Sequence, residues 1–166
     1  MKKLDIVNIF LVFCLGSLII DSMYILSLLV QDIIVDGNAF SRSNLYRGFT
    51  ANINISAFML TMKSPVIIYF LFKNQKNKFK VLLLALVLLM VVLSIFILLS
   101  RGAFIAFAIS TFLLITFFFI KSNIRKFTIP TIYLVTILLG YFISSNLINS
   151  KGTNIINERV SSINID

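Results

Sequence analysis

Two long uncharged apolar runs, residues 81–99 and 103–120, stand on either side of Ser100-Arg101-Gly102. The first has 19 residues and the second 18. At ~1.5 Å of helix per residue, each is long enough to cross a hydrocarbon core of ~30 Å. In lipid only helices and closed barrels satisfy their own backbone polar groups, so runs of this length form helices. The short polar break makes a hairpin and puts Arg101 at one membrane face. A guanidinium there either snorkels to the headgroups or finds an anion.

The rest of the chain follows the same pattern. It has 166 residues, 59% of them hydrophobic, and a mean hydropathy of +1.02. These values lie outside the range of soluble domains. The fold class expected is an all-α integral membrane protein of about five transmembrane helices, a single membrane domain over residues 1–166. The spans read as residues 6–30, 53–72, 81–99, 103–120 and 127–147. Residues 148–166 read as the start of an extracytoplasmic loop. Met1-Lys2-Lys3 leads into an apolar stretch with no small-residue cleavage site, which makes a first span and not a signal peptide. Pro65 falls mid-span, where it removes a hydrogen bond, clashes with the carbonyl of Thr61 and kinks the helix.

A net charge of +9 raises nucleic acid as a partner in a soluble protein. Here the basic residues lie between spans, where they set topology. With the N-terminus inside, nine of the 15 Lys and Arg fall on inner segments, five on outer segments, and Lys63 within a span. The bias predicts N-inside and C-outside, with the lipid bilayer as partner and no nucleic acid. Histidine is absent and Cys14 is the single cysteine. That excludes an intrachain disulfide, a Cys/His metal cluster and a His general base among these residues. Nothing in the pattern asks for a metal or cofactor. Glu158 is the one glutamate, so a paired-carboxylate glycosidase site has no clear second member.

Two charges fall inside spans. From the outer face Lys63 is ~15 Å deep and Asp21 roughly 8–10 Å. The side chain of Lys is long enough to bridge that gap. The expectation is a buried pair that offsets two otherwise costly charges. The alternatives are Asp21 at a face, or Lys63 lining a cavity.

Further residues form an ordered series. Gly48-Phe49-Thr50-Ala51-Asn52-Ile53-Asn54-Ile55-Ser56-Ala57 is followed by Lys63-Ser64-Pro65, a basic loop, an apolar span and Ser100-Arg101-Gly102-Ala103. In order, spacing and side of the membrane this series resembles the core of the O-antigen ligase and O-antigen polymerase family, over about residues 47–120. The family often has Asn-Pro-Asn where this chain has Asn52-Ile53-Asn54. Its members are multispanning enzymes of the bacterial cytoplasmic (inner) membrane that move glycans off undecaprenyl diphosphate. The resemblance implies a transferase that works without metal, joining such a glycan to an acceptor glycolipid (lipid A core or a second lipid-linked repeat). Arg101, assisted by Arg47, would hold the diphosphate through a planar fork that Lys does not reproduce. Gly102 would allow the tight turn beside it. Asn52 and Asn54 would meet sugar hydroxyls, or else cap the second span. The catalytic base is not identified. Family members carry more spans, a large outer loop and, in ligases, a histidine, so the chain is expected to be a fragment. The rival readings are a flippase or transporter fragment, which also uses arginines and broken helices, and a non-catalytic small membrane protein.

Overall fold

A computed structural model of the protein describes residues 3–36, 46, 48–50, 52–121 and 128–149. These form six helices: α1 (Lys3–Asp36), α2 (Ile53–Lys63), α3 (Pro65–Lys73), α4 (Lys78–Ile97), α5 (Arg101–Lys121) and α6 (Thr128–Asn149). A single 3-10 turn, Gly48–Thr50, precedes α2. Among the described residues there is no strand. Four helical stretches among the described residues are long and apolar enough to cross a membrane: 6–35, 53–73, 78–97 and 129–147. α5 adds a shorter apolar stretch, Gly102–Leu114.

α2 and α3 act as one span. Pro65 has no N–H to give the carbonyl of Thr61. That carbonyl instead accepts from the Ser64 hydroxyl at 2.8 Å and from the Ser64 N–H at 3.3 Å. Ser64 keeps right-handed helical angles, so the chain carries on in the same direction with Pro65 at the first position of α3. A proline costs least there.

α1 runs to Asp36, beyond residue 30 where the polar residues Gln31 and Asp32 suggest a loop. Asp32 is only 2% exposed and accepts a 2.7 Å hydrogen bond from the Tyr46 hydroxyl. A partnered carboxylate can stay on a buried helix face, so the helix need not stop at it.

Successive spans alternate in direction. Asn8 meets Lys73, Ser17 and Asp21 meet Lys63, and Tyr24 meets Phe49. These contacts run antiparallel down α1 and α2–α3. One end of the bundle thus gathers the C-terminus of α1, the Gly48–Thr50 turn, Asn52, the turn after α4 and the C-terminus of α6. The opposite end holds the N-terminus of α1 and the turn between α3 and α4.

α4 is the central helix and touches every other one. Its buried side chains Leu84, Val87, Leu88, Val91, Val92 and Ile95 recur at three- and four-residue spacing, one stripe of a helix. Around it the outer faces are apolar and exposed, as at Phe10, Leu82, Leu86, Phe112 and Leu138, which suits lipid. Burial of apolar surface gives little drive for helices to associate in lipid, so close backbone approach and polar contacts between helices take its place. Three are present. Ser94 Oγ donates to the Met90 carbonyl at 2.9 Å and lies 3.4 Å from the Ser22 carbonyl of α1. The Thr111 and Tyr133 hydroxyls are 3.0 Å apart between α5 and α6. Gly140 of α6 lies against Val92 of α4.

Candidate functional site

Ser17 and Asp21 are four residues apart on α1 and so share one face. On α2, Ser56, Met59, Leu60 and Lys63 form a matching stripe at three- and four-residue spacing. The two stripes face one another across a cavity of about 150 Å³, completed by Ile25 and the Gly48–Thr50 turn. The cavity runs from Lys63, ten residues or ~15 Å below the start of α2, up to that turn at the membrane end.

The structure brings Asp21 and Lys63 together. Lys63 Nζ donates to Asp21 Oδ2 at 3.1 Å and to Ser17 Oγ at 2.6 Å. Both charged side chains are about a quarter exposed, and both line the cavity. An ammonium has three N–H bonds and a carboxylate two oxygens. The third N–H of Lys63 and the Oδ1 of Asp21 have no partner among the described residues. The pair therefore offers one free donor and one free acceptor side by side.

Above it, the Ser56 and Thr50 hydroxyls are 2.6 Å apart, and Thr50 Oγ1 donates to the Asn52 carbonyl at 2.9 Å. Phe49 stacks on Tyr24 of α1 with ring centroids 4.6 Å apart, which seats the turn on the bundle. Gly48 has φ +61°, and a Cβ there would meet Ser56 Oγ at 2.6 Å. Gly48→Ala is accordingly expected to lower stability by about 1–2 kcal/mol, from left-handed strain plus the clash. The Gly48→Ala/Ser56→Ala variant should recover the steric part and leave the backbone part. Thermal unfolding in detergent, followed by circular dichroism, reads both. An unchanged midpoint for Gly48→Ala would contradict this reading of the turn.

Of the other sequence candidates, Asn52 caps α2: its Oδ1 accepts from the Asn54 N–H at 2.9 Å. Asn52 and Asn54 are exposed at the same membrane end and do not line the cavity. Arg47 lies outside the described residues. Of Arg101 the backbone alone is described, as the first residue of α5; its side chain lies outside. Residues 150–166 lie outside as well.

The turn itself differs from expectation. Gly102 is already helical, with open space around it. The left-handed residue is Leu99, at φ 49°, an uncommon conformation for a branched side chain. Helix α4 ends at Ile97, Leu98 and Leu99 turn the chain, and Ser100 immediately precedes α5. The Ser100 carbonyl accepts from the Phe104 N–H at 3.0 Å, while its Oγ lies 3.4 Å from the Ala103 N.

Ser17, Thr50 and Ser56 are site residues that the sequence reading passed over. The signal was present, with Ser17 one turn before Asp21 and Ser56 two turns before Lys63. Among the described residues no three His, Cys, Asp or Glu side chains come together as for a metal ion. Set beside known protein families, curated proteins and solved structures, the chain matches none.

Proposed function

We propose that the protein is an O-antigen ligase/polymerase-like transferase of the bacterial inner membrane, acting on a glycan linked to undecaprenyl diphosphate. The observation that carries this reading is the free donor and acceptor of the Lys63–Asp21 pair, in a cavity comparable in size to a single sugar ring. Adjacent hydroxyls on a sugar ring present the same alternation of acceptor and donor. A buried charge pair with unused hydrogen-bonding capacity is costly in a membrane helix bundle, so such a site invites a polar ligand.

In this reading the cavity's membrane end faces the extracytoplasmic side, with the N-terminus inside. The diphosphate lies at the headgroup level near Arg47 and Arg101, and the first sugar reaches down toward Thr50 and Ser56. Arg101 stabilises the charge that builds on the leaving diphosphate. The acceptor is the hydroxyl of a second glycolipid. It attacks the anomeric carbon as the bond to the diphosphate breaks, and its proton passes to a base outside the residues assigned here.

Arg101→Lys in the chromosomal gene tests the role of the fork. Loss of a planar two-pronged contact to phosphate is expected to lower glycan transfer at least tenfold, read as the amount of mature surface polysaccharide at equal protein level. Unchanged polysaccharide with Arg101→Lys would favour a residue that merely snorkels.

A further inference from the structure

At the membrane end away from the cavity, α1, α3 and the start of α4 leave a groove of about 360 Å³. Its floor is apolar, formed by Leu15, Phe70 and Leu83, and its rim carries Lys73 and Lys80. The sequence has no acidic residue between Asp36 and Glu158, so the lysines at 73, 76, 78 and 80 have no carboxylate near them along the chain. Lys73 donates to Asn8 Oδ1 at 2.9 Å and sits 5.8 Å from the centre of the Tyr69 ring. Both contacts hold its ammonium in place without neutralising it. Lys80 stands in the first turn of α4, which is fixed by its own N–H donating to the Asn77 cap at 3.2 Å. The positive end of the α4 dipole lies beside it.

This is an amphipathic seat of particular chemistry. The floor suits a hydrocarbon chain, while the rim presents two positive charges, that of Lys73 held by its contacts, at the depth where that chain's headgroup would lie. A zwitterionic lipid fills the floor equally well, but its own cation opposes the lysines. We propose that the groove is a binding site for an anionic phospholipid, with the phosphate between Lys73 and Lys80 and an acyl chain along Leu15, Phe70 and Leu83. The site is independent of the glycan reading, since it uses other residues at the opposite membrane end.

The test is native mass spectrometry of the full chain released from nanodiscs of mixed phosphatidylglycerol and phosphatidylcholine. The protein is expected to retain phosphatidylglycerol in preference to phosphatidylcholine. The preference should fall about fivefold for each rim lysine changed, in Lys73→Gln, in Lys80→Gln and cumulatively in the pair. Leu83→Trp, which fills the floor and leaves the charge alone, should displace the lipid as well. Lys76→Gln/Lys78→Gln should keep the preference. An equal loss in that control would mean diffuse attraction to a basic surface and would overturn the site. So would retention in Leu83→Trp, absence of any preference in the parent protein, or complete displacement by millimolar inorganic phosphate, which would mark a headgroup ion site with no acyl seat. Far-ultraviolet circular dichroism of each variant confirms that the helices are intact.

Discussion

Replacing Asp21 by Asn is expected to lower the folded yield sharply, and replacing Lys63 by Met in the same chain to restore most of it. Asp21 takes one N–H of Lys63 at 3.1 Å, well inside spans that run in opposite directions. Without the carboxylate, the ammonium remains in an apolar bundle with only neutral acceptors, Ser17 Oγ and the new amide, and no compensating charge. A lone charge at mid-span costs on the order of 2.5–3.5 kcal/mol on insertion scales. Since both side chains are about a quarter exposed, about 2 kcal/mol is the expected loss. The double variant carries neither charge and leaves only a neutral amide at position 21, and a buried pair replaced by neutral groups is often close to neutral in stability. The comparison is made by size-exclusion yield and thermal midpoint in one detergent. If single and double variants lose equally, the two residues act independently and the pair is no unit.

The second large effect lies at the α4–α6 contact. A Cβ on Gly140 would come within 2.5 Å of Val92 Cγ1 and 3.4 Å of Val92 Cβ. Valine in a helix is held to one rotamer and cannot swing clear, so the helices themselves must part. Gly140→Ala should cost about 1–3 kcal/mol, as overpacking does. Gly140→Leu should detach α6 and abolish a monodisperse folded species, because the close approach that holds helices together in lipid is lost. Gly16→Ala is the internal control: nothing lies within 4 Å of that position. It should be neutral or slightly stabilising, as alanine is the better helix former. Similar losses at 16 and 140 would mean that the effect is not steric.

How much of this was legible in the sequence depended on the kind of signal. Runs without charge announce helices in lipid, so the apolar helices were readable from residues 81–99 and 103–120 outward. The end of α1 was not, because Asp32 looks like a loop residue until Tyr46, 14 positions away, is seen to partner it. The meeting of Asp21 and Lys63 could be argued from depth alone, since a charge in a span needs a partner and the chain has few to choose from. Ser17 escaped notice, and Ser56 stood in the quoted motif without a role, because hydroxyls in membrane helices often bond back to their own backbone, as Thr61 and Thr116 do here. In sequence the one trace of a serine that instead faces across a cavity is its helical spacing from a charge, as for Ser17 from Asp21 and Ser56 from Lys63. The turn before α5 shows the reverse error: Gly102 attracts attention as the residue able to turn, yet Leu99 adopts the left-handed conformation. Gly140 is one glycine among six, and only the neighbouring helix reveals what its missing side chain permits.

The most direct measurement is the affinity of the full chain, in nanodiscs, for undecaprenyl diphosphate against undecaprenol, with Arg101→Lys alongside. A preference for the diphosphate of at least tenfold in the parent protein, largely lost in Arg101→Lys, is the expected result. Equal affinity for the two lipids, or an undiminished preference in Arg101→Lys, would contradict a diphosphate site at the α4–α5 turn.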